Sequence, residues 1–76
     1  MGSKGLEILA KQREVARDTD TATEYLRGLG YRVNFATLDS YGFPYYHLWE
    51  GNTPLLMSSD VIRQRAMIEV AKRIGG

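Results

Sequence analysis

Apolar residues recur at helical spacing over the first third of the chain, from Lys4 to Leu29. Poor helix formers interrupt this spacing at residues 18–21, where Thr21 and Glu24 have the separation of a capping box. We predict one long helix here and leave open a break at residues 18–21. Its apolar stripe consists of Ile8, Val15, Ala22, Leu26 and Leu29, with Leu6 and Leu9 beside it.

Alternation of apolar and polar residues replaces the helical spacing at residues 31–38, which predicts a half-buried strand. Residues 39–42 begin with Asp and end with Gly, as tight turns commonly do. A second strand follows and ends at Glu50. Residues 51–54 form another turn, and residues 55–57 are predicted as a short third strand.

The last segment, residues 58–74, returns to helical spacing, and its first three residues are all good N-cap types. The order α-β-β-β-α predicts an α+β fold, with helices packed on one face of an antiparallel hairpin sheet. We expect one domain over residues 1–76, of which residues 1–3 could be a disordered or cloning-derived start. The predicted inward stripe of the last helix is Ile62, Ala66, Met67, Val70, Ala71 and Ile74.

The loop between the first two strands decides where the aromatic side chains lie, because a shift by one residue exchanges the two faces of a strand. A three-residue loop with a bulge at Gly42 would place Trp49 inside. We favour a four-residue loop, 39–42, because it buries Leu48 and leaves His47 in water. The register of that loop pairs Val33 with Leu48, Phe35 with Tyr46 and Leu38 with Phe43.

Rings are concentrated on the outer face of this predicted hairpin. Residues 38–52 contain five of the eight aromatic residues and the only histidine. Because Tyr and Trp dominate interface hot spots, we expect a protein partner to bind there, unless the first helix folds over the face. The expected protein-binding residues are Arg32, Tyr41, Phe43, Tyr45, His47, Trp49 and Glu50.

Charge is distributed unevenly although the formal net charge is only +1. Residues 39–60 contain three carboxylates and neither Lys nor Arg, whereas residues 61–76 contain four cations and one carboxylate. Acidic neighbours around rings favour a partner that presents Arg or Lys, which can stack on the rings. That partner could be another protein or a second copy of the chain.

Nucleic acid is the competing partner, because the element order resembles that of the double-stranded RNA-binding domain. That family begins its second helix with a lysine cluster, whereas the matching stretch here, SSDVIRQ, places Asp60 there. The rings also lack the cationic groove that base stacking normally requires, since Arg32 is the lone cation near them. We therefore favour a protein partner. The nucleic-acid alternative would use the basic C-terminal helix through Arg63, Arg65, Lys72 and Arg73.

Catalytic chemistry finds little support in the sequence. With one histidine and no cysteine, the chain can form neither a thiolate metal site nor a histidine pair. The serines at 40, 58 and 59 suit turns and caps better than nucleophiles. We therefore predict a non-enzymatic module without catalytic residues, metal or cofactor, and by analogy of size an accessory or inhibitory protein such as phages carry. Because no membrane span or signal peptide is apparent, we expect a cytoplasmic location.

Overall fold

The structure is a computed structural model that describes residues 3–75 as three helices and a three-stranded sheet. Helices α2 and α3 pack against one face of the antiparallel sheet, whose strand order is β1-β2-β3. The predicted α+β class is confirmed. Met1 and Gly2, part of the expected disordered start, lie outside the described residues. The elements are α1 (Ser3–Ala16), α2 (Thr19–Gly28), β1 (Arg32–Leu38), β2 (Pro44–Glu50), β3 (Thr53–Ser58) and α3 (Ser59–Gly75).

Asp18 divides the segment that we predicted as one helix, so the favoured continuous helix is wrong. Its backbone is extended, and its Oδ1 accepts hydrogen bonds from the Thr21 backbone N at 2.7 Å and from the Thr21 hydroxyl at 2.8 Å. These bonds make Asp18 the N-cap of α2 and hold the pKa of its carboxyl below the ordinary value. The break separates α1, which packs along α3, from α2, which also contacts β1.

The core lies between the sheet and the helices, and each strand contributes one buried side chain. The predicted stripes supply most of it, although Leu6 and Leu9 stay exposed on α1. Ile8 packs against its margin. Burial of this small apolar set is the main source of stability. The core side chains are Val15, Ala22, Leu26, Val33, Leu48, Met57, Ile62, Ala66 and Val70.

The register of β1 with β2 confirms two of the three predicted pairs, Val33 with Leu48 and Phe35 with Tyr46. The third is wrong, because Leu38 pairs with Pro44 instead of Phe43 and the loop therefore spans residues 39–43. A bulge between Phe35 and Thr37 compensates for the extra loop residue. Tyr45 and Trp49 consequently lie on the predicted outer side, whereas Phe43 lies in the loop and Phe35, expected to be buried, is 56% exposed.

The longer loop has a local cause at Asp39. Its Oδ1 accepts hydrogen bonds from the backbone N atoms of Tyr41 at 2.8 Å and Phe43 at 2.9 Å, and its own N donates to the Phe43 carbonyl at 2.9 Å. Gly42 has φ 85°, which favours glycine. An Asp at the first position and a Gly near the end therefore close a five-residue loop as readily as a four-residue one.

Each edge strand of the sheet has one backbone position that cannot readily form a hydrogen bond with a strand of another chain. In β1, Arg27 of α2 donates two hydrogen bonds to the carbonyl oxygen of Val33, at 3.0 Å from Nε and 2.8 Å from Nη2. In β3, Pro54 has no amide proton to donate. Such features protect edge strands against pairing with other chains.

Candidate protein-binding face

Nine residues in three cross-strand rows form the side of the sheet that faces away from the helices, which we call the outer face. Directly paired residues share a face, and Val33, Leu48 and Met57 are the buried residues of the opposite one. Helix α1 packs along α3 and α2, so it does not provide the cover that the sequence left open. The rows are Arg32, Trp49 and Pro54; Asn34, His47 and Leu56; and Thr37, Tyr45 and Ser58.

Three neighbouring side chains contact the ring of Trp49 on the outer face. The guanidinium carbon of Arg32 lies 4.4 Å from the ring centroid, and the indole Nε1 donates a hydrogen bond to Asn34 Oδ1 at 3.0 Å. The His47 ring meets the indole edge to face, with centroids 6.3 Å apart. The indole is therefore half-buried in one orientation, with its polar atom satisfied.

The loop at the end of β1 and β2 adds two further rings. The side chains of Tyr41 and Phe43 are 85% and 64% exposed. Phe43 and Tyr45 also line a cleft of about 500 Å³ that extends to Asp60 and Arg63 at the start of α3. The loop thus continues the ring-bearing surface beyond Tyr45, and Phe43, expected on the sheet face opposite Leu38, belongs to this loop.

Leu56 and Asn34 belong to the outer face although the sequence did not select them as site residues. Leu56 is 58% exposed in the row of His47. Its neighbours in the chain, Leu55 and Met57, are also apolar, so β3 shows no alternation that could have placed it. Asn34 was assigned to the outer side by register, but its bond to the indole requires the three-dimensional arrangement.

Of the carboxylates expected around the rings, Asp39 and Asp60 line the cleft beside Phe43 and Tyr45, whereas Glu50 lies away from the rings. Glu50 follows Leu48 in phase and therefore points to the helix side, where its Oε1 is 3.8 Å from Arg65 Nη1. Asp60 forms an ion pair with Arg63, and Asp39 caps its own loop. Glu50 consequently lies on the opposite side of the sheet from Arg32, Tyr45, His47 and Trp49.

The basic side chains of α3 surround a buried carboxylate. Glu69 is 2% exposed, and its oxygens lie 3.4 Å from Arg65 Nε, 3.6 Å from Lys72 Nζ and 3.6 Å from Arg73 Nε. The Tyr31 hydroxyl donates to Glu69 Oε2 at 3.0 Å. Burial alone would raise the pKa of Glu69, but this hydrogen bond and the three cations outweigh it and lower the pKa below its ordinary value. All four cations considered for nucleic acid thus have a carboxylate partner.

Residues 3–75 contain neither a metal-binding cluster nor a membrane-spanning helix. No cluster of three or more His, Cys, Asp or Glu side chains has the arrangement to hold a metal ion. None of the described helices has the length and apolar character needed to cross a membrane.

Comparison with known proteins found no match to this chain among protein-family models, curated proteins or solved structures.

Proposed function

We propose that this chain is a small non-enzymatic module that binds another protein, or a second copy of itself, through its outer face and the adjoining loop. One observation carries the proposal: Trp49, Tyr45 and Leu56 share a sheet face over which no described helix packs. A cytoplasmic location belongs to the same proposal, because a chain without cysteine needs no oxidising compartment to fold.

The fixed orientation of Trp49 supports its role as the anchor of the contact. Immobilising a side chain on binding costs about 0.5–1.5 kcal/mol, and Arg32 and Asn34 already restrain the indole before a partner arrives. Leu56 lies in the row next to the anchor, and Tyr45 lies in the row beyond it. Trp, Tyr and Arg are the residue types most enriched in interface hot spots, and the outer face carries one of each.

The size of the surface indicates that the loop takes part in binding. Three strands about 4.8 Å apart and roughly seven residues long give a flat footprint on the order of 300 Å². A stable interface buries about 800 Å² on each partner. Tyr41 and Phe43, which are more exposed than the rings of the sheet, would supply the most accessible additional area.

The proposal is tested by affinity capture from an extract of the source organism, with the full chain immobilised. The variant Trp49→Ala/Leu56→Ala truncates the outer face, and Leu6→Ala/Ile68→Ala truncates exposed apolar side chains on α1 and α3 as the matched control. We expect specific proteins to bind the wild type and the control but not the outer-face variant, with all three chains showing the same circular dichroism.

Two results would contradict the proposal. One is capture that the outer-face variant retains in full. The other is salt-sensitive binding of duplex RNA that is lost in Arg63→Ala/Arg65→Ala, because it would assign function to α3. Self-association is measured separately by sedimentation equilibrium at low micromolar concentration, where loss of a dimer in Trp49→Ala/Leu56→Ala would identify a second copy as the partner.

A further inference from the structure

We infer that the partner of the outer face is a protein segment that presents an Asp or Glu carboxylate, flanked by apolar side chains, to Arg32. This inference rests on the proposed function and specifies its partner. Arg32 is the only Lys, Arg, Asp or Glu among the nine residues of the outer face. The formal charge of these nine residues is therefore positive, and the expected acidic residues Asp39 and Asp60 lie beyond them, in the cleft beside Phe43 and Tyr45.

The guanidinium of Arg32 is positioned to accept a carboxylate. It lies over the Trp49 ring, and among the residues that the structure describes it forms no ion pair with Asp or Glu. Stacking uses the flat side of a guanidinium, whereas its N–H groups point outward in the plane. Two of them can bind the oxygens of one carboxylate in the bidentate geometry that Arg and carboxylate prefer.

The neighbours of Arg32 define the rest of the partner. Pro54 and Leu56 are exposed on the same face and would pack against apolar side chains next to the carboxylate. Arg32 already covers one side of the Trp49 ring. A Lys or Arg of the partner would meet like charge at Arg32, so a cationic partner, which the sequence favoured, fits less well than an anionic one.

The outer face of a second copy of the chain does not supply the required anion. Glu50 points to the helix side, and Asp39 and Asp60 lie beyond the nine residues, where Asp39 caps the loop and Asp60 pairs with Arg63. Packing two outer faces together would bury two Arg32 guanidinium groups without a counter-charge, which is unfavourable. The face therefore suits a different molecule better than itself.

Nucleic acid also presents anions, but the nine residues of the outer face include only one cation to bind them. One free guanidinium can neutralise about one phosphate, whereas specific and non-specific binding both depend on several such contacts. The four cations of α3 that could add to it are paired with carboxylates. A single cation among apolar side chains matches a partner with one acidic side chain, which a protein segment can present.

The probe for this inference is a displayed library of random peptides selected on the immobilised full chain. Three baits are compared: wild type, Arg32→Glu, and Arg13→Glu as a matched control on the exposed side of α1. We expect the peptides selected by wild type and by Arg13→Glu to be enriched in Asp and Glu relative to the input library. The Arg32→Glu bait should select Lys and Arg instead. A selected acidic peptide should bind Arg32→Glu about tenfold more weakly or worse.

The outcomes separate the inference from the proposed function. Selected peptides that lack acidic enrichment, or that keep it on Arg32→Glu, would overturn the inference. If those peptides still fail to bind Trp49→Ala/Leu56→Ala, the inference about the acidic partner fails but the proposed function of the outer face stands. Selection that the outer-face variant does not affect would overturn both. Binding of a uridine oligonucleotide, or a dimer by sedimentation, that is abolished in Arg32→Glu would also overturn the inference and assign the face to nucleic acid or to a second copy.

Discussion

The guanidinium carbon of Arg32 in β1 lies 4.4 Å from the centroid of the Trp49 indole in β2. The two residues are directly paired across the strands, so backbone register alone brings them together. The contact links the only charged side chain of the outer face to the ring that we propose as its anchor. The chain contains one tryptophan, which makes this contact visible by fluorescence.

Removing Arg32 should expose the indole. We expect Arg32→Ala to increase acrylamide quenching of the Trp49 emission, because the guanidinium shields one side of the ring. Stability should fall only slightly, since an exposed cation–π contact contributes about 0.5–1 kcal/mol. Arg13→Ala is the control and should leave quenching unchanged. Equal quenching in all three chains would mean that the stack does not persist in solution.

Leu48 and Leu56 lie on opposite faces of the sheet and provide a test of the register. Leu48 is fully buried, and truncating it leaves a cavity, so Leu48→Ala should reduce the free energy of unfolding by about 2–5 kcal/mol. Leu56 is 58% exposed, so Leu56→Ala should change it by roughly 0.5 kcal/mol or less. Urea unfolding measures both values. A larger loss for Leu56→Ala would indicate that the two faces are exchanged.

Two neighbouring glycines should respond oppositely to alanine. Gly30 has φ 101°, a conformation unfavourable to side chains, so Gly30→Ala should reduce the free energy of unfolding by about 1 kcal/mol or more. Gly28 ends α2, has no positive φ and has open space around it. Gly28→Ala should therefore be neutral or stabilising by up to about 1 kcal/mol. Thermal unfolding of both variants checks the contrast.

Glu69 should make stability depend on pH in the acidic range. Its folded pKa lies below the ordinary value of 4.5, so its ionised form stabilises the fold. This contribution is complete above the unfolded pKa and is lost as pH falls through the folded one. We expect the difference in free energy of unfolding between wild type and Glu69→Gln to be larger at about pH 7 than at about pH 3. A difference independent of pH would contradict the ionic role of Glu69.

The sequence predicted the faces of the hairpin better than its loop. Burial of Val33 and Leu48 restricts each strand to one phase, and that constraint is visible as alternation. The bulge after Phe35 has no comparable signature, so the loop length was mispredicted while the faces were right. The break at Asp18 was recognised as an option, but helix propensity alone did not decide it.

Charges were predicted less well, because residues close in sequence were treated as neighbours in space. Strand alternation already places Glu50 in phase with Leu48, and counting charges by face would have removed it from the rings. The burial of Glu69 is different. It requires Tyr31 and Arg65 to meet across the fold, which no local pattern in the sequence indicates.

The bonds from Arg27 to the Val33 carbonyl, together with Pro54 on the other edge strand, have a consequence for handling the protein at high concentration. A sheet with an open aromatic side would ordinarily be prone to growing into amyloid-like ribbons by adding strands from other molecules. Here lateral growth is hindered at both ends of the sheet. We therefore expect the chain to form fibrils less readily than a sheet with the same uncovered aromatic side and two unprotected edge strands.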